Sequence, residues 1–65
     1  MKEWPRMMNE ELAGEYVGLK RRTMQDRRQR MLPPRYIKIG SAVRYRKEDL
    51  DAFIDANKVD PLEAA

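Results

Sequence analysis

The feature that most constrains the fold is a pair of short helical segments separated by a glycine. Apolar residues recur at helical spacing over residues 12–17, and Gly18 follows as the expected left-handed end of that helix. Asn9 is suited to cap its start, so we place the first helix at residues 10–17. A second helix is predicted over residues 21–30, which leaves room only for a very tight turn.

The segment after the second helix predicts a small hairpin. Pro33 and Pro34 stop the helix and force an extended exit. Two short alternating runs then flank Gly40-Ser41, a pair typical of a type II′ turn. We assign one face of the hairpin to the apolar residues Ile37, Ile39, Val43 and Tyr45, and the other face to Lys38 and Arg44.

A third helix is predicted over residues 47–57, and Asn57 is a suitable C-cap. Arg46 stands at its N-cap position and is a poor cap, so Asp49 is expected to reach back to the free backbone N–H groups. Met31 and Leu32 are expected to join Met24 in holding the second helix on the core. The rest of the predicted core is Leu12, Ala13, Tyr16, Val17, Leu19, Ile37, Ile39, Val43, Tyr45, Leu50, Phe53 and Ile54.

This order of elements predicts a mostly α fold with a small β-hairpin, a winged helix-turn-helix in which the hairpin is the wing. Residues 1–8 are predicted to be an N-terminal arm, residues 9–57 the winged helix-turn-helix domain, and residues 58–65 a flexible acidic C-terminal tail. Trp4 is expected to lay its indole on the core.

Charge is segregated along the chain. Residues 20–47 hold eleven basic residues and one acidic residue, whereas residues 48–65 hold six acidic residues and one basic residue. A block this basic is typical of a protein that binds an anionic polymer, and a solvated cationic surface is the alternative interpretation.

The composition argues against several classes of function. The chain has no cysteine, no histidine and a single serine, so we expect no catalytic residue, no metal site and no cofactor. No apolar run approaches the roughly 20 residues that span a bilayer, and the N-terminus lacks the layout of a signal peptide. We expect a cytoplasmic, nucleoid-associated protein with no membrane partner.

Two stretches resemble a known family. EELAGEYVGLKRRTM resembles the helix-turn-helix of MerR-like winged-helix proteins, in particular the small excisionase and AlpA-like DNA-binding proteins of phages and integrative elements. LPPRYIKIGSAVRYRKEDLDAFI resembles their wing and third helix. The sequence departs from the family at Lys20, Arg27 and Arg30, where a small cap residue, an apolar or aromatic residue and glycine are frequent.

In helix-turn-helix proteins the second helix enters the major groove, so its outward residues are candidates for base contact. Arg22 can pair with guanine and Gln25 with adenine, while Arg21 can reach a base or a phosphate. Asp26 is expected to align Arg22 and Arg30. The candidates for contact with the DNA backbone, or with DNA through the wing, are Lys20, Thr23, Arg28, Arg30, Arg35, Lys38, Ser41 and Arg44.

The resemblance implies a recombination directionality factor. Such proteins bind double-stranded DNA at adjacent sites, bend it and help a site-specific recombinase (integrase) to assemble the excisive complex. The acidic C-terminal segment of one copy can meet the basic block of the next, which gives head-to-tail self-association. Two alternatives stay open: an AlpA-like transcriptional regulator, and a module that binds an acidic protein partner and no DNA.

Overall fold

The structure is a computed structural model that describes residues 3–61, and its elements follow the predicted order with one strand added in front. They are β1 (Met7–Met8), α1 (Glu10–Val17), α2 (Arg21–Gln29), β2 (Ile37–Ile39), β3 (Ala42–Arg46) and α3 (Lys47–Ala56). This is the predicted winged helix-turn-helix, with β2 and β3 as the wing. The first two residues of the predicted arm and residues 62–65 of the predicted tail lie outside the described residues.

The turn between α1 and α2 closes onto a glycine inside α1. Asn9 caps the helix by accepting a 2.8 Å hydrogen bond from the Leu12 N–H, and Gly18 ends it at φ 81°, as predicted. The N–H groups of Gly18 and Leu19 both donate to the Gly14 carbonyl. A Cβ at position 14 would lie 2.5 Å from the Leu19 carbonyl oxygen, so Gly14 permits the close turn.

The end of α2 differs from the expectation. Met31 adopts φ 58°, while the Met31 and Leu32 N–H groups donate to the carbonyls of Arg28 and Arg27. This pattern is a Schellman motif with methionine where glycine is usual. Met31 is 78% exposed and Leu32 41%, so the expectation that they tether α2 to the core is wrong. The left-handed residue turns the chain away from the helix axis before either side chain can reach the core.

The pairing register of the wing also corrects the prediction. Ile39 pairs with Ala42, and Lys38 pairs with Val43. Since paired residues share a face, Lys38 lies on the face of Val43 and Tyr45, whereas Ile37 and Ile39 share the other face with Arg44. Gly40 has φ 61° and Ser41 has no positive φ, which fits the predicted type II′ turn. A two-residue turn therefore puts the apolar residues of the two strands on opposite faces.

The N-terminal arm adds a strand that the sequence did not predict. Met7 and Met8 pair with Arg46 and Tyr45, so the sheet order is β1-β3-β2. Met8 is 1% exposed and belongs to the core. The predicted packing of Trp4 is confirmed, because its ring meets that of Tyr16 edge-on at 5.0 Å.

The core lies where α1, α2, α3 and β3 meet. Its buried apolar residues are Met8, Ala13, Met24, Tyr45 and Leu50, with Trp4, Leu12, Tyr16, Val17, Leu19, Tyr36 and Val43 packed around them. Two predicted core residues are instead exposed, Ile39 at 61% and Ile54 at 43%. Ile39 lies at the wing tip on the face away from Tyr45, and Ile54 lies in the last turn of α3, past Leu50.

The start of α3 corrects one further expectation. Arg46 is the N-cap residue and makes no side-chain cap hydrogen bond. Asp49 does not reach the backbone, because its carboxylate accepts from the Arg46 guanidinium at 2.9 and 3.2 Å. This charged hydrogen bond raises the pKa of Arg46.

Candidate nucleic-acid interface

The outward face of α2 carries three predicted base-contact residues. Met24 is fully buried and fixes the inner side of the helix, as predicted. Arg21, Arg22 and Gln25 are all exposed. Within residues 3–61 their side chains make no hydrogen bond or ion pair, so their donors and acceptors face water and are available to a ligand.

A carboxylate in α1 sets the position of α2. The Glu10 Oε2 atom accepts hydrogen bonds from Arg28 Nε at 2.7 Å and from the Tyr45 hydroxyl at 3.0 Å. The bond to Glu10 raises the pKa of Arg28, while burial, followed by the same carboxylate, raises the pKa of Tyr45. Glu10 thus joins α1, the helix α2 and the wing strand β3. Arg28, a predicted phosphate contact, has its Nε committed to this cluster.

Arg27 also belongs to the inner side of α2. Its Nε donates to the Pro33 carbonyl at 2.5 Å, and its guanidinium lies 5.2 Å from the centre of the Phe53 ring. The arginine therefore covers an aromatic ring on the inner side of the helix.

Asp26 lies beside one of its two expected partners. Its carboxylate is 3.5 Å from Arg30 Nε, and both side chains are largely exposed. No ion pair between Asp26 and Arg22 is found in the described part of the chain. Asp26 therefore aligns Arg30, and Arg22 extends independently.

The remaining candidates lie at the start of α2 and along the wing. Lys20 is the N-cap residue of α2 and gives no side-chain cap bond, which agrees with its departure from the family pattern. Arg44 is half-buried and donates from Nη1 to the Val43 carbonyl at 2.7 Å. The exposed residues among these candidates are Lys20, Thr23, Arg35, Lys38 and Ser41.

A shallow cleft connects the end of α2 with the wing. It is lined by Met31, Leu32, Pro33, Pro34, Arg35, Tyr36 and Lys38. The cleft places the base of the wing beside the C-terminal end of α2. The basic residues of both elements can therefore meet one extended ligand.

Most of the acids at the start of α3 have partners within the chain. Glu48 and Asp49 both pair with Arg46, at 3.2 and 2.9 Å. Asp51 accepts from the Tyr16 hydroxyl, which raises the pKa of that tyrosine, and lies 3.9 Å from Lys47. Much of the acidic charge of α3 is thus balanced locally.

Sequence reasoning missed two residues of this region. Glu10 is only the first residue of the predicted first helix, and no signal in the sequence indicates that it meets Arg28 and Tyr45. Ile39 was assigned to the core, although pairing across a two-residue turn would have placed it on the face of Ala42.

Residues 3–61 contain neither a metal-binding cluster nor a membrane-spanning helix. No group of three or more acidic side chains is arranged to hold a metal ion. Every helix in this range is too short or too polar to cross a bilayer.

The fold and the exposed face of α2 define a DNA-binding winged helix-turn-helix domain. Comparison with known families supports the assignment: the chain belongs to the helix-turn-helix domain family, whose sequence model matches residues 9–58. A search of curated proteins found no match.

Proposed function

We propose that the protein is an excisionase, a recombination directionality factor that binds and bends attachment-site DNA and promotes integrase-mediated excision of a mobile element. The observation that carries the DNA contact is the uncommitted outward face of α2, where Arg21, Arg22 and Gln25 are exposed. Domains of this kind are typically non-enzymatic. The protein then acts by shaping DNA for a recombinase.

The proposed contact residues form two groups, one for base edges and one for the DNA backbone or contact through the wing. Arg21, Arg22 and Gln25 contact base edges in the major groove, because guanidinium and amide groups match guanine and adenine. The backbone or wing contacts are Lys20, Thr23, Arg30, Arg35, Lys38, Ser41 and Arg44. Arg28 is proposed mainly to orient α2, because its Nε is bound to Glu10.

Charge segregation supports the recombination role. A single small module offers a limited interface, so specificity benefits from several adjacent copies. The C-terminal segment of one copy can lie against the basic block of the next. Glu48, Asp49 and Asp51 contribute less to this proposed contact, since each has a partner within the chain.

The first test is binding to duplex DNA at several salt concentrations. We expect log K to fall by roughly 0.9 against log salt for each phosphate contact. Arg22→Ala should relax sequence preference, Lys38→Ala should weaken all sequences alike, and Lys58→Ala is the matched loss of charge outside the interface. Absence of binding at low salt would contradict the proposal and favour an acidic protein partner.

The second test separates excision from regulation. With the integrase and attachment-site DNA of the proposed mobile element, wild-type protein should stimulate excision, and Arg22→Ala should not. A version lacking residues 59–65 should bind multi-site DNA less cooperatively. Binding to a promoter without any effect on excision would favour the AlpA-like regulator.

A further inference from the structure

The tip of the wing presents an aliphatic side chain to solvent. Ile39 is the last residue of β2, and it is 61% exposed beside the two-residue turn Gly40-Ser41. Its strand partner is Ala42, which adds a small apolar surface on the same face. Ile39 and Ala42 therefore place apolar side chains directly beside the turn, where a wing that bound DNA only by charge would carry polar groups.

Cations lie on both sides of this apolar tip. Lys38 shares the hairpin face of Val43 and is exposed, whereas Arg44 shares the opposite face with Ile37 and Ile39. A hairpin with a positive charge on each face is complementary to a DNA groove, because a phosphate backbone runs along each side of the groove. The charge distribution therefore favours a duplex groove as the occupant.

From these positions we propose that Ile39 enters the minor groove of the bound duplex and wedges between two stacked base pairs. The minor groove of B-DNA is about 6 Å wide. Two strands about 4.8 Å apart, with their side chains, do not fit it without widening. Insertion of an apolar wedge opens the step and kinks the duplex toward the major groove.

The preferred step follows from the cost of unstacking. Pyrimidine–purine steps open most easily, so the wing favours TA or CA at the position that Ile39 meets. Ile39 thus makes binding depend on how easily a base-pair step deforms, whereas Arg22 on α2 makes it depend on hydrogen bonds to base edges. The bend required by the proposed excision function then arises at the wing.

The proposal rests on the proposed DNA binding, and the test separates the two. A duplex is selected by the wild-type protein from a random-sequence pool, and 2-aminopurine is scanned along it. Its fluorescence reports unstacking, and end-to-end energy transfer reports the bend. The wild type should raise the fluorescence at one step and shorten the end-to-end distance.

Two variants of nearly equal shape isolate the apolar contact. Ile39→Val should keep most of the fluorescence rise, and Ile39→Thr should lose it with about a tenfold loss of affinity. The salt slope should not change in either variant. Ile54→Val and Ile54→Thr repeat the changes at an exposed position on α3 and should leave binding and fluorescence unaltered.

Ile39 and Ile54 are both exposed, so all four variants should fold, and circular dichroism checks this. If Ile39→Thr bends and unstacks the duplex as the wild type does, the proposed insertion of Ile39 is wrong, and the proposed DNA binding is unaffected. If the wild type selects no duplex, both proposals are wrong.

Discussion

The carboxylate of Glu10 lies 2.7 Å from the guanidinium of Arg28, eighteen residues further along the chain. Both side chains are largely withdrawn from water, at 13% and 23% exposure. The same carboxylate accepts from the Tyr45 hydroxyl. One acid therefore fixes the angle between the helix α2 and the wing, the two elements proposed to contact DNA.

We expect Glu10→Gln to lower the free energy of unfolding by about 1–2 kcal/mol, because it replaces charged hydrogen bonds with neutral ones. Urea unfolding measures this change. Glu11→Gln is the matched control, since Glu11 is exposed in the same helical turn. Equal effects of the two substitutions would mean that Glu10 stabilises only through the helix dipole.

We expect Gly14→Ala to destabilise the fold, although alanine has a higher helix propensity than glycine. Propensity alone would make alanine about 1 kcal/mol more stable. The new Cβ would instead lie 2.5 Å from the Leu19 carbonyl oxygen, so we expect a loss of about 1–3 kcal/mol. Thermal unfolding measures the sign, with Glu15→Ala as the neighbouring exposed control. A stabilised Gly14→Ala protein would show that the turn does not approach α1 so closely.

Met31→Gly should stabilise the fold. Met31 adopts φ 58° and is 78% exposed, so its side chain contributes little while its Cβ opposes the backbone conformation. We expect a gain of about 0.5–1 kcal/mol after allowing for the greater freedom of glycine in the unfolded chain. Chemical denaturation should show this gain for glycine and none for Met31→Ala. Gln25→Gly, at an exposed position in the middle of α2, should destabilise.

Stability should fall at alkaline pH. The pKa of Tyr45 is raised in the folded state by burial and by the hydrogen bond to Glu10. A raised pKa favours the protonated phenol in the fold, so this stabilisation is complete below the unfolded pKa of about 10 and is lost as the pH rises above it. The pKa of Tyr16 is raised in the same direction by Asp51.

The measurement is the free energy of unfolding at pH 9, 10 and 11. Tyr45→Phe should be less stable at pH 9 because it loses the bond to Glu10, and its decline toward pH 11 should be shallower than that of the wild type. Parallel declines in the two proteins would contradict the assignment to Tyr45.

Much of the architecture was predictable because its signals are local. Asn9 and Gly18 bound α1 as predicted, since a cap depends on a few neighbouring residues. Gly40-Ser41 likewise indicated the wing turn. The outward face of α2 follows from helical periodicity with Met24 as its buried residue.

The errors arose where strand pairing or a turn, and not the periodicity of one segment, decides a residue's surroundings. Ile39 was assigned to the core because alternation within one strand does not show which face of the partner strand it joins. Strand β1 was not predicted because two residues give no period, and only pairing with β3 orders them. Met31 and Leu32 were misplaced because the left-handed turn changes their direction.

The sequence by itself determined the order of the three helices and the two wing strands, the segregation of charge and the face of α2 that meets solvent. These depend on spacing and on backbone preferences within a few residues. Only the tertiary structure decided that Glu10 joins Arg28 and Tyr45 and that Arg27 covers Phe53. Such contacts form between segments that are remote in the chain, and their geometry exists only after the helices and strands have packed.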